Sequence, residues 1–212
     1  MSRNSVHRAA QRGLAILAGG AFLLLLAAGG AMLWLKPSSQ SLGPTLPAGV
    51  AIGGPFTLTD ETGAEVTDAT YRGRHMLVFF GFTYCPDVCP TELAKVAATL
   101  DLLGPDAAKV APLFVTVDPA RDTPSELEVY TEQFHPAIIG LTGTEEQIAA
   151  ATRAYRVFYS KVKLGQEADN YTMDHSAFIY LMGPDGAFRQ FFSPQASPEQ
   201  MAATIRAHLA RS

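Results

Sequence analysis

Two continuous, almost wholly apolar runs of strand length, joined by one helix, constrain the fold of this chain more than any other feature. The runs cover residues 76–82 and 110–117, and neither shows the alternation of polar and apolar residues expected of a half-exposed strand. Between them, residues 91–103 carry apolar side chains at helical spacing, and Gly104 and Pro105 end that pattern. Buried strands joined by a helix are typical of a parallel sheet. The segment therefore predicts a β-α-β unit at the centre of the fold.

Further elements flank this unit and predict one folded domain over residues 55–212. Turn residues separate two short strands before the unit and two more strands near the end of the chain. Capping patterns at Thr123 and Ser197 mark the starts of two helices. In chain order the flanking elements are strands 56–59 and 64–67, a helix after Thr123, strand 138–141, helix 145–156, strands 177–182 and 187–192, and a helix after Ser197. The order predicts an α/β layered fold with parallel strands at its centre.

An uncharged stretch over residues 14–35 predicts a single transmembrane helix. Its roughly 22 residues would span about 33 Å as a helix, which is enough to cross the apolar core of a bilayer. Three arginines precede it within residues 1–13, whereas no basic residue follows Lys36 until Arg72. This asymmetry predicts that the N-terminus stays in the cytoplasm and that the rest of the chain is exported.

The predicted organisation is a cytoplasmic segment (1–13), an anchor (14–35), a linker rich in Pro, Gly and Ser (36–54) and the folded domain. We expect a single-pass protein of the bacterial inner membrane whose C-terminal domain lies in the periplasm. Two alternatives stay open for the apolar stretch. Small residues at 27–31 suit a cleaved signal peptide, although the stretch exceeds the usual ~7–15 residues, and a mitochondrial transit peptide is disfavoured by the short basic segment.

The distribution of charge excludes a nucleic-acid-binding module. The chain has 16 Lys plus Arg against 20 Asp plus Glu, and its first 36 residues hold four of the basic residues and no acidic one. The remainder is therefore strongly acidic. A polyanion needs a basic surface, and the predicted domain lacks the composition to provide it.

The two cysteines of the chain, Cys85 and Cys89, mark the candidate site. They follow the first buried strand and precede its helix, where the helix dipole and free backbone N–H groups favour a thiolate. Two such sulfurs can form a disulfide or hold a soft metal ion. A purely structural disulfide is the alternative, but closing so small a loop would stabilise the fold weakly. Three residues intervene rather than the two of the usual redox motif, which leaves room for an ion.

Two sulfurs leave a soft monovalent ion under-coordinated, and His175 is the candidate third ligand. It lies in a polar segment that leads directly into the predicted strand 177–182. The other histidines are predicted across the membrane, at the wrong end of a strand or at helix ends: His7, His75, His135 and His208. A structural or surface role for His175 stays open, because isolated histidines more often have one.

Asp118 follows the second buried strand and is a candidate supporting residue. The carboxyl ends of parallel strands share one edge, so its carboxylate could orient a metal ligand or accept a hydrogen bond from one. The alternative is that Asp118 only begins a turn and that Arg121 and Asp122 form a surface pair. Met173 is a soft neighbour of the site for which packing is the simpler interpretation.

Three sequence blocks resemble those of a known family. GFTYCPDVCP at residues 81–90, VDPARDTP at 117–124 and YTMDHS at 171–176 resemble the signature blocks of the SCO/SenC family. The resemblance implies a thioredoxin-like fold with a central parallel or mixed sheet, an added N-terminal hairpin and an excursion over residues 161–170. It also implies that Cys85, Cys89 and His175 are copper ligands.

The resemblance further implies a membrane-anchored metallochaperone that delivers copper to the binuclear copper centre of cytochrome c oxidase during assembly. Its partners would be the oxidase subunit that holds this centre and an upstream periplasmic copper chaperone. Thiolate ligands favour Cu(I), with Cu(II) as the second oxidation state considered. Zinc is the competing metal, although it prefers a fourth ligand.

The alternative function is a thiol–disulfide oxidoreductase that reduces the cysteine pair of the oxidase subunit before metallation. Cys85 and Cys89 would then be its redox pair. His175 distinguishes the two functions, because disulfide exchange needs only two sulfurs whereas an open Cu(I) site benefits from a nitrogen. Peroxide reduction is a third, weaker hypothesis. The chain has no phosphate-binding loop, nucleophile elbow or H-E-x-x-H motif, so neither nucleotide binding nor hydrolysis is predicted.

Overall fold

The computed structural model describes residues 51–167 and 170–211, which form a mixed α/β domain. The strands are β1 (Thr57–Asp60), β2 (Glu65–Thr67), β3 (His75–Gly81), β4 (Val110–Thr116), β5 (Ile139–Thr142), β6 (Tyr159–Lys163), β7 (Tyr171–His175), β8 (Ile179–Met182) and β9 (Phe188–Phe192). The helices are α1 (Val88–Leu103), α2 (Pro124–Glu132), α3 (Glu145–Tyr155) and α4 (Pro198–Leu209), with 3-10 helices at Asp68–Tyr71 and Gly104–Lys109.

The main sheet has the strand order β2-β1-β5-β4-β3-β8-β9 within the described residues. Strands β3, β4 and β5 run parallel, whereas β1, β2, β8 and β9 each pair antiparallel with their neighbours. The β3-α1-β4 unit followed by the β8–β9 hairpin and α4 is thioredoxin-like, and β1–β2 is the added N-terminal hairpin. The expected mixed sheet and thioredoxin-like fold are therefore confirmed.

Strands β3 and β4 lie at the centre of the sheet and are buried along their whole lengths. Their parallel register pairs Phe79 with Phe114, whose ring centroids are 6.0 Å apart, and ends with Gly81 opposite Thr116. Side chains on both faces of these strands enter the core, which explains the absence of polar alternation in the sequence. Both strands consequently end at the same edge of the sheet.

Helix α1 starts three residues earlier than the apolar spacing predicts, and its start is capped in an unusual way. The N-cap residue Asp87 makes no side-chain capping hydrogen bond. Instead, the backbone N–H of Cys89 donates to Cys85 Sγ across 3.4 Å. Helices α2, α3 and α4 begin with ordinary caps at Thr123, Thr144 and Ser197. A sulfur thus occupies the place that a Ser, Thr or Asp oxygen takes in the other helices.

The β6–β7 hairpin was not predicted, because the sequence indicated only an excursion followed by a polar segment. The two strands form a separate antiparallel sheet in which Tyr159 pairs with His175. In β7, Tyr171 and Met173 are buried whereas Thr172 and Asp174 are not. That alternation is a strand signal in the sequence, but it extends over too few residues to stand out. His175 therefore lies at the end of a strand.

The predicted anchor and the segments on either side of it precede the part of the chain that the structure describes. Residues 1–13, the apolar stretch 14–35 and the linker through residue 50 lie outside the described residues. Among residues 51–167 and 170–211, no helix has both the length and the hydropathy needed to cross a membrane.

We expect Leu113→Ala to destabilise the domain strongly, because Leu113 is one of the fully buried side chains of β4. Truncating a core leucine typically costs about 2–5 kcal/mol through lost burial and the cavity left behind. Urea unfolding of the variant would measure this loss. Val129→Ala on α2 is the matched control, since Val129 is 62% exposed and should change the free energy of unfolding by less than about 0.5 kcal/mol. Equal losses would contradict the placement of β4 in the core.

Candidate metal centre

The three side chains predicted as metal ligands converge in the structure. The Sγ atoms of Cys85 and Cys89 and a ring nitrogen of His175 all lie within 4.8 Å of one another. The contact between Cys89 Sγ and His175 Nε2 is 3.3 Å. Within the described residues, this is the only group of three His, Cys, Asp or Glu side chains arranged to hold a metal ion. The elimination of His75, His135 and His208 is consistent with this geometry, whereas His7 lies outside the described residues.

The loop after β3 and the first turn of α1 fix the two cysteines in different surroundings. Cys85 lies in the loop and is half-buried, whereas Cys89 lies in the first turn of α1 and is fully buried. Both are free cysteines that form no disulfide. One sulfur can therefore be reached from solvent while the other is enclosed by the core.

The two thiols also differ in protonation. The pKa of Cys85 is lowered to about 5, chiefly because the Cys89 thiol donates a hydrogen bond to it, helped by the backbone N–H groups of Cys89, Asp87 and Val88. The pKa of Cys89 is raised, first by that same hydrogen bond, which favours its protonated form, and then by burial. At neutral pH the pair therefore consists of a Cys85 thiolate and a Cys89 thiol.

His175 presents its Nε2 atom to the cysteines in the form that binds a metal. Its Nδ1 lies 3.1 Å from the carbonyl oxygen of Ser176, and because a carbonyl can only accept, Nδ1 carries the proton. The lone pair of Nε2 then faces Cys89 Sγ. The imidazole also makes edge contacts with Phe79 and Phe82, at centroid distances of 6.2 and 5.8 Å. A hydrogen bond on the far nitrogen is the usual way in which proteins orient a ligating histidine.

This donor set fits copper. Two thiolates and one imidazole are soft donors that suit Cu(I), and three ligands leave one side of the ion open. Two thiolates with one Cu(I) sum to a single negative charge, which the start of α1 can offset. Zinc would need a fourth ligand, and no further His, Cys, Asp or Glu joins this group among the described residues.

Asp118 does not contact the three candidate ligands. It is buried, it accepts hydrogen bonds from the Tyr171 hydroxyl at 2.9 and 3.2 Å, and it pairs with Arg121. Its carboxylate therefore acts on strand β7, four residues before His175, rather than on a ligand itself. The supporting role of Asp118 remains a prediction. In the structure Asp118 could affect His175 only indirectly, through its hydrogen bonds with Tyr171 on the same strand.

Arg121 links the cysteine loop to the strand that carries His175. Its guanidinium lies 3.8 Å from the centroid of the Tyr171 ring and 4.6 Å from that of Tyr84, the residue before Cys85. It also donates to the backbone carbonyl of Tyr171 across 3.2 Å. Stacking of this kind typically contributes about 0.5–2 kcal/mol. Arg121 and Tyr171 thus hold the two halves of the site together, which the sequence did not predict.

The alternative interpretation, in which Arg121 and Asp122 form a surface pair, is wrong, because Asp122 has no exposed surface. Its carboxylate accepts hydrogen bonds from the backbone N–H and hydroxyl of Thr83, at 3.0 and 2.6 Å, and from the hydroxyl of Thr116, at 2.6 Å. Burial raises the pKa of Asp122. Asp122 fastens the cysteine loop to the end of β4. Polar threonines at the ends of two adjacent buried strands were the sequence signal for this bridge.

Gly81 is a second residue that sequence reasoning missed. A Cβ atom at this position would lie 2.7 Å from both Cys89 Sγ and Phe114 Cε2, closer than real Cβ contacts come. The absence of a side chain therefore provides the space that the buried sulfur occupies. No local pattern reveals this requirement, since it depends on how α1 packs against β3.

Gly81→Ala is expected to disturb Cys89 and the fold together, because the added methyl group overlaps the sulfur and the Phe114 ring. Overpacking a core in this way typically costs about 1–3 kcal/mol. Urea unfolding and a Cu(I) titration against a competing chelator would measure both effects. Gly54→Ala is the matched control, since its new Cβ would meet only Ala154 Cβ at an ordinary 3.4 Å. Unchanged metal binding in Gly81→Ala would show that Cys89 has room to move.

The alkylation rate of the reduced protein should report the Cys85 thiolate. Because only the thiolate reacts, the rate with iodoacetamide should reach half its maximum near pH 5, the pKa of Cys85. In Cys85→Ser the remaining thiol is fully buried, and burial alone still raises the pKa of Cys89, so little reaction is expected at neutral pH. A rate that rises only near pH 8.5, as for an unperturbed cysteine, would contradict the assignment.

Comparison with known proteins places this arrangement in a family. The sequence model of SCO1/SenC matches residues 45–210. The chain is 42% identical over 163 residues to the human protein "SCO1 homolog, mitochondrial", which covers 74% of this chain and 53% of that protein. It is 47% identical over 158 residues to SenC of Rhodobacter capsulatus, covering 74% and 71%. Against the human relative, the chain thus spans about half the length.

A solved structure gives the same result at the level of the fold. Bradyrhizobium japonicum ScoI, solved with copper bound, superposes with a TM-score of 0.69 at 46% sequence identity, covering 74% of this chain and 99% of that one. The expected resemblance is confirmed by these matches. With its cysteine pair and histidine gathered at the end of a central strand in a thioredoxin-like domain, the chain belongs to the SCO1/SenC family.

Proposed function

We propose that this protein binds Cu(I) through Cys85, Cys89 and His175 and delivers it to the binuclear copper centre of cytochrome c oxidase during assembly. The convergence of the three donor atoms within 4.8 Å is the observation that carries the proposal. Support also comes from the copper-bound structure of the Bradyrhizobium japonicum relative. Cu(II) is a second oxidation state that the same donors accept.

The delivery step is an exchange of thiolates that leaves the copper as Cu(I). On binding, the metal replaces the proton of Cys89, because thiolate is the ligating form. A thiolate of the partner then forms a new Cu–S bond on the open side of the ion, and a bond between the ion and a ligand of this protein breaks. When Cys89 is released it takes a proton back from solvent. No electron is gained or lost, so no reductant is needed.

The proposal includes the predicted location of the site. An anchor over residues 14–35 would hold the domain at the periplasmic face of the bacterial inner membrane, where the copper-centre subunit of the oxidase is the acceptor. An upstream periplasmic copper chaperone is the proposed donor. The acidic composition of the chain beyond residue 36 supports recognition of protein or metal partners rather than nucleic acid.

A second candidate function, thiol–disulfide exchange, is favoured by the lowered pKa of Cys85. The Cys85 thiolate would attack a disulfide of the partner subunit and release one partner thiolate. Cys89 would then give its thiol proton to the released partner thiolate and attack Cys85, which releases the second partner thiolate and leaves a Cys85–Cys89 disulfide. Two electrons pass from this pair to the partner disulfide. His175 has no part in that exchange.

Replacing His175 separates the two functions. His175→Ala should weaken Cu(I) binding by about tenfold or more, since it removes one of three ligands, while reversible disulfide formation between Cys85 and Cys89 continues. An anaerobic Cu(I) titration of the reduced full-length chain, beside a thiol–disulfide redox titration, would measure both properties. His135→Ala is the matched control, because His135 lies after α2 and contacts Ala137 rather than the cysteines.

The two outcomes assign the function. One copper bound tightly, and less tightly without His175, supports delivery. No competitive Cu(I) binding, with the cysteines cycling between dithiol and disulfide, would reject delivery and leave the reductase as the function of the site.

A further inference from the structure

The guanidinium of Arg121 is surrounded by groups from both halves of the candidate metal centre. It lies 4.6 Å from the centroid of the Tyr84 ring, 3.8 Å from that of Tyr171 and 6.0 Å from that of Phe82. Its Nε donates to Asp118, and its Nη1 donates to the carbonyl oxygen of Tyr171. The third nitrogen, Nη2, is buried and has no hydrogen-bond partner in the described part of the chain. Because an unpaired buried donor is costly, this placement of the guanidinium calls for a physical reason.

Two sets of contacts connect this guanidinium to His175. The first passes through the Phe82 ring, which meets the imidazole edge-on at a centroid distance of 5.8 Å. The second passes along β7, since Arg121 contacts both the ring and the backbone carbonyl of Tyr171, four positions before His175. Within the described residues β7 pairs with β6 alone, so no strand of the main sheet fixes the imidazole. Its position therefore depends on side-chain contacts.

The same guanidinium contacts the loop that carries the cysteines. Tyr84 directly precedes Cys85 and is 62% exposed, so burial in the core does not hold its ring, whereas Arg121 stacks on it. A binding site works only when its donor atoms are held at the right distances, because all of them must reach one ion. Arg121 contacts both the loop before one sulfur and the strand before the nitrogen. It is therefore placed to set the distance between them.

We propose that Arg121 is a positioning residue, which holds His175 Nε2 at the right distance from the two sulfurs and thereby strengthens Cu(I) binding. Within the described residues it hydrogen-bonds to none of the three candidate ligands, so it acts through the rings of Phe82, Tyr84 and Tyr171. The inference rests on the proposed metal site and deepens it by assigning one side chain to the spacing of the three donors.

A lysine at this position should not replace the arginine, although it keeps the positive charge. A guanidinium is planar and can stack on rings while it donates in two directions, whereas an ammonium is a compact point charge. Arg121→Lys should therefore weaken Cu(I) binding by about tenfold, as is typical when a group that orients a metal ligand is lost. Because the effect passes through the imidazole, Arg121→Lys should change Cu(I) affinity by less than about twofold in a chain that already carries His175→Ala.

The experiment uses the full-length protein, Arg121→Lys, His175→Ala and the double variant, with Arg189→Lys as the matched control. Arg189 also pairs with an aspartate, Asp185, but it lies at the end of the sheet where β3 begins, opposite the cysteines. Three quantities are measured: urea unfolding without metal, Cu(I) affinity against a competing chelator, and the NMR shifts of the His175 ring protons without metal. These shifts report the position of the imidazole, because the Phe82 ring meets it edge-on.

A tenfold loss of Cu(I) affinity that requires His175, together with moved His175 ring shifts and an unchanged control, would support the proposal. Unchanged affinity in Arg121→Lys would overturn it. Equal losses with and without His175, or unmoved ring shifts, would also overturn it, because Arg121 would then support the fold and not the position of the imidazole.

Two further outcomes are covered. If urea unfolding shows that Arg121→Lys does not fold, Tyr84→Leu decides, because it removes one stacked ring from an exposed position. Tyr84→Leu should then lower Cu(I) affinity about two- to fivefold when His175 is present and not in its absence, and no loss would reject the proposal. If the unaltered protein bound no Cu(I), the proposed function would fail by itself, and the His175 ring shifts would still decide whether Arg121 positions the imidazole.

Discussion

The parallel pairing of β3 with β4 is the constraint on which the candidate metal centre depends. Gly81 and Thr116 face each other at the last step of this register, so the chain leaves both strands at one edge of the sheet. The segment after β3 leads to the cysteines, and the segment after β4 leads to Asp118 and Asp122. Asp122 links these two segments because its carboxylate accepts hydrogen bonds from Thr83 and Thr116. These hydrogen bonds replace those to water that a fully buried carboxylate loses. Because both strands are buried on both faces, neither segment can shift at its start without disturbing the core.

The position of α1 against this edge makes the two sulfurs unequal. Cys85 Sγ accepts hydrogen bonds from the N–H and the thiol of Cys89, so it carries negative charge at neutral pH, whereas Cys89 stays protonated in the core. A cation reaching the site meets a ready thiolate and has only one proton to displace. A disulfide of the partner would react first with the Cys85 thiolate, and Cys89 would react afterwards. The same asymmetry serves both candidate reactions, and only His175 Nε2 favours metal binding over exchange.

The parts of the fold that the sequence predicted are those whose signals are local. Burial on both faces of β3 and β4, and the caps of α2 and α4, are encoded within a few neighbouring residues, so these elements were placed to within a few residues. The hairpin β6–β7 was missed because it is half-exposed and its alternation is short. The three candidate ligands could be selected from the sequence because Cys and His are residue types with a characteristic metal-binding chemistry. The roles of Gly81 and Asp122 could not be predicted from the sequence, because they arise from tertiary contacts. One example is the hydrogen bond between Thr83 and Asp122, which are 39 positions apart.

His175, the candidate third ligand, lies on a strand that is held by side-chain contacts and not by the main sheet. Strand β7 pairs with β6 in a separate sheet, and Tyr171 anchors it through Asp118 and the Arg121 guanidinium. Such contacts typically contribute about 0.5–2 kcal/mol each, whereas the cysteines are fixed by the buried junction of β3 and α1. The orientation of the imidazole therefore depends on the contacts of Asp118 and Arg121 more than on the pairing of the main sheet. The proposed Cu(I) site would accordingly combine two sulfurs at the buried end of β3 with one nitrogen on a strand that side-chain contacts help to hold in place.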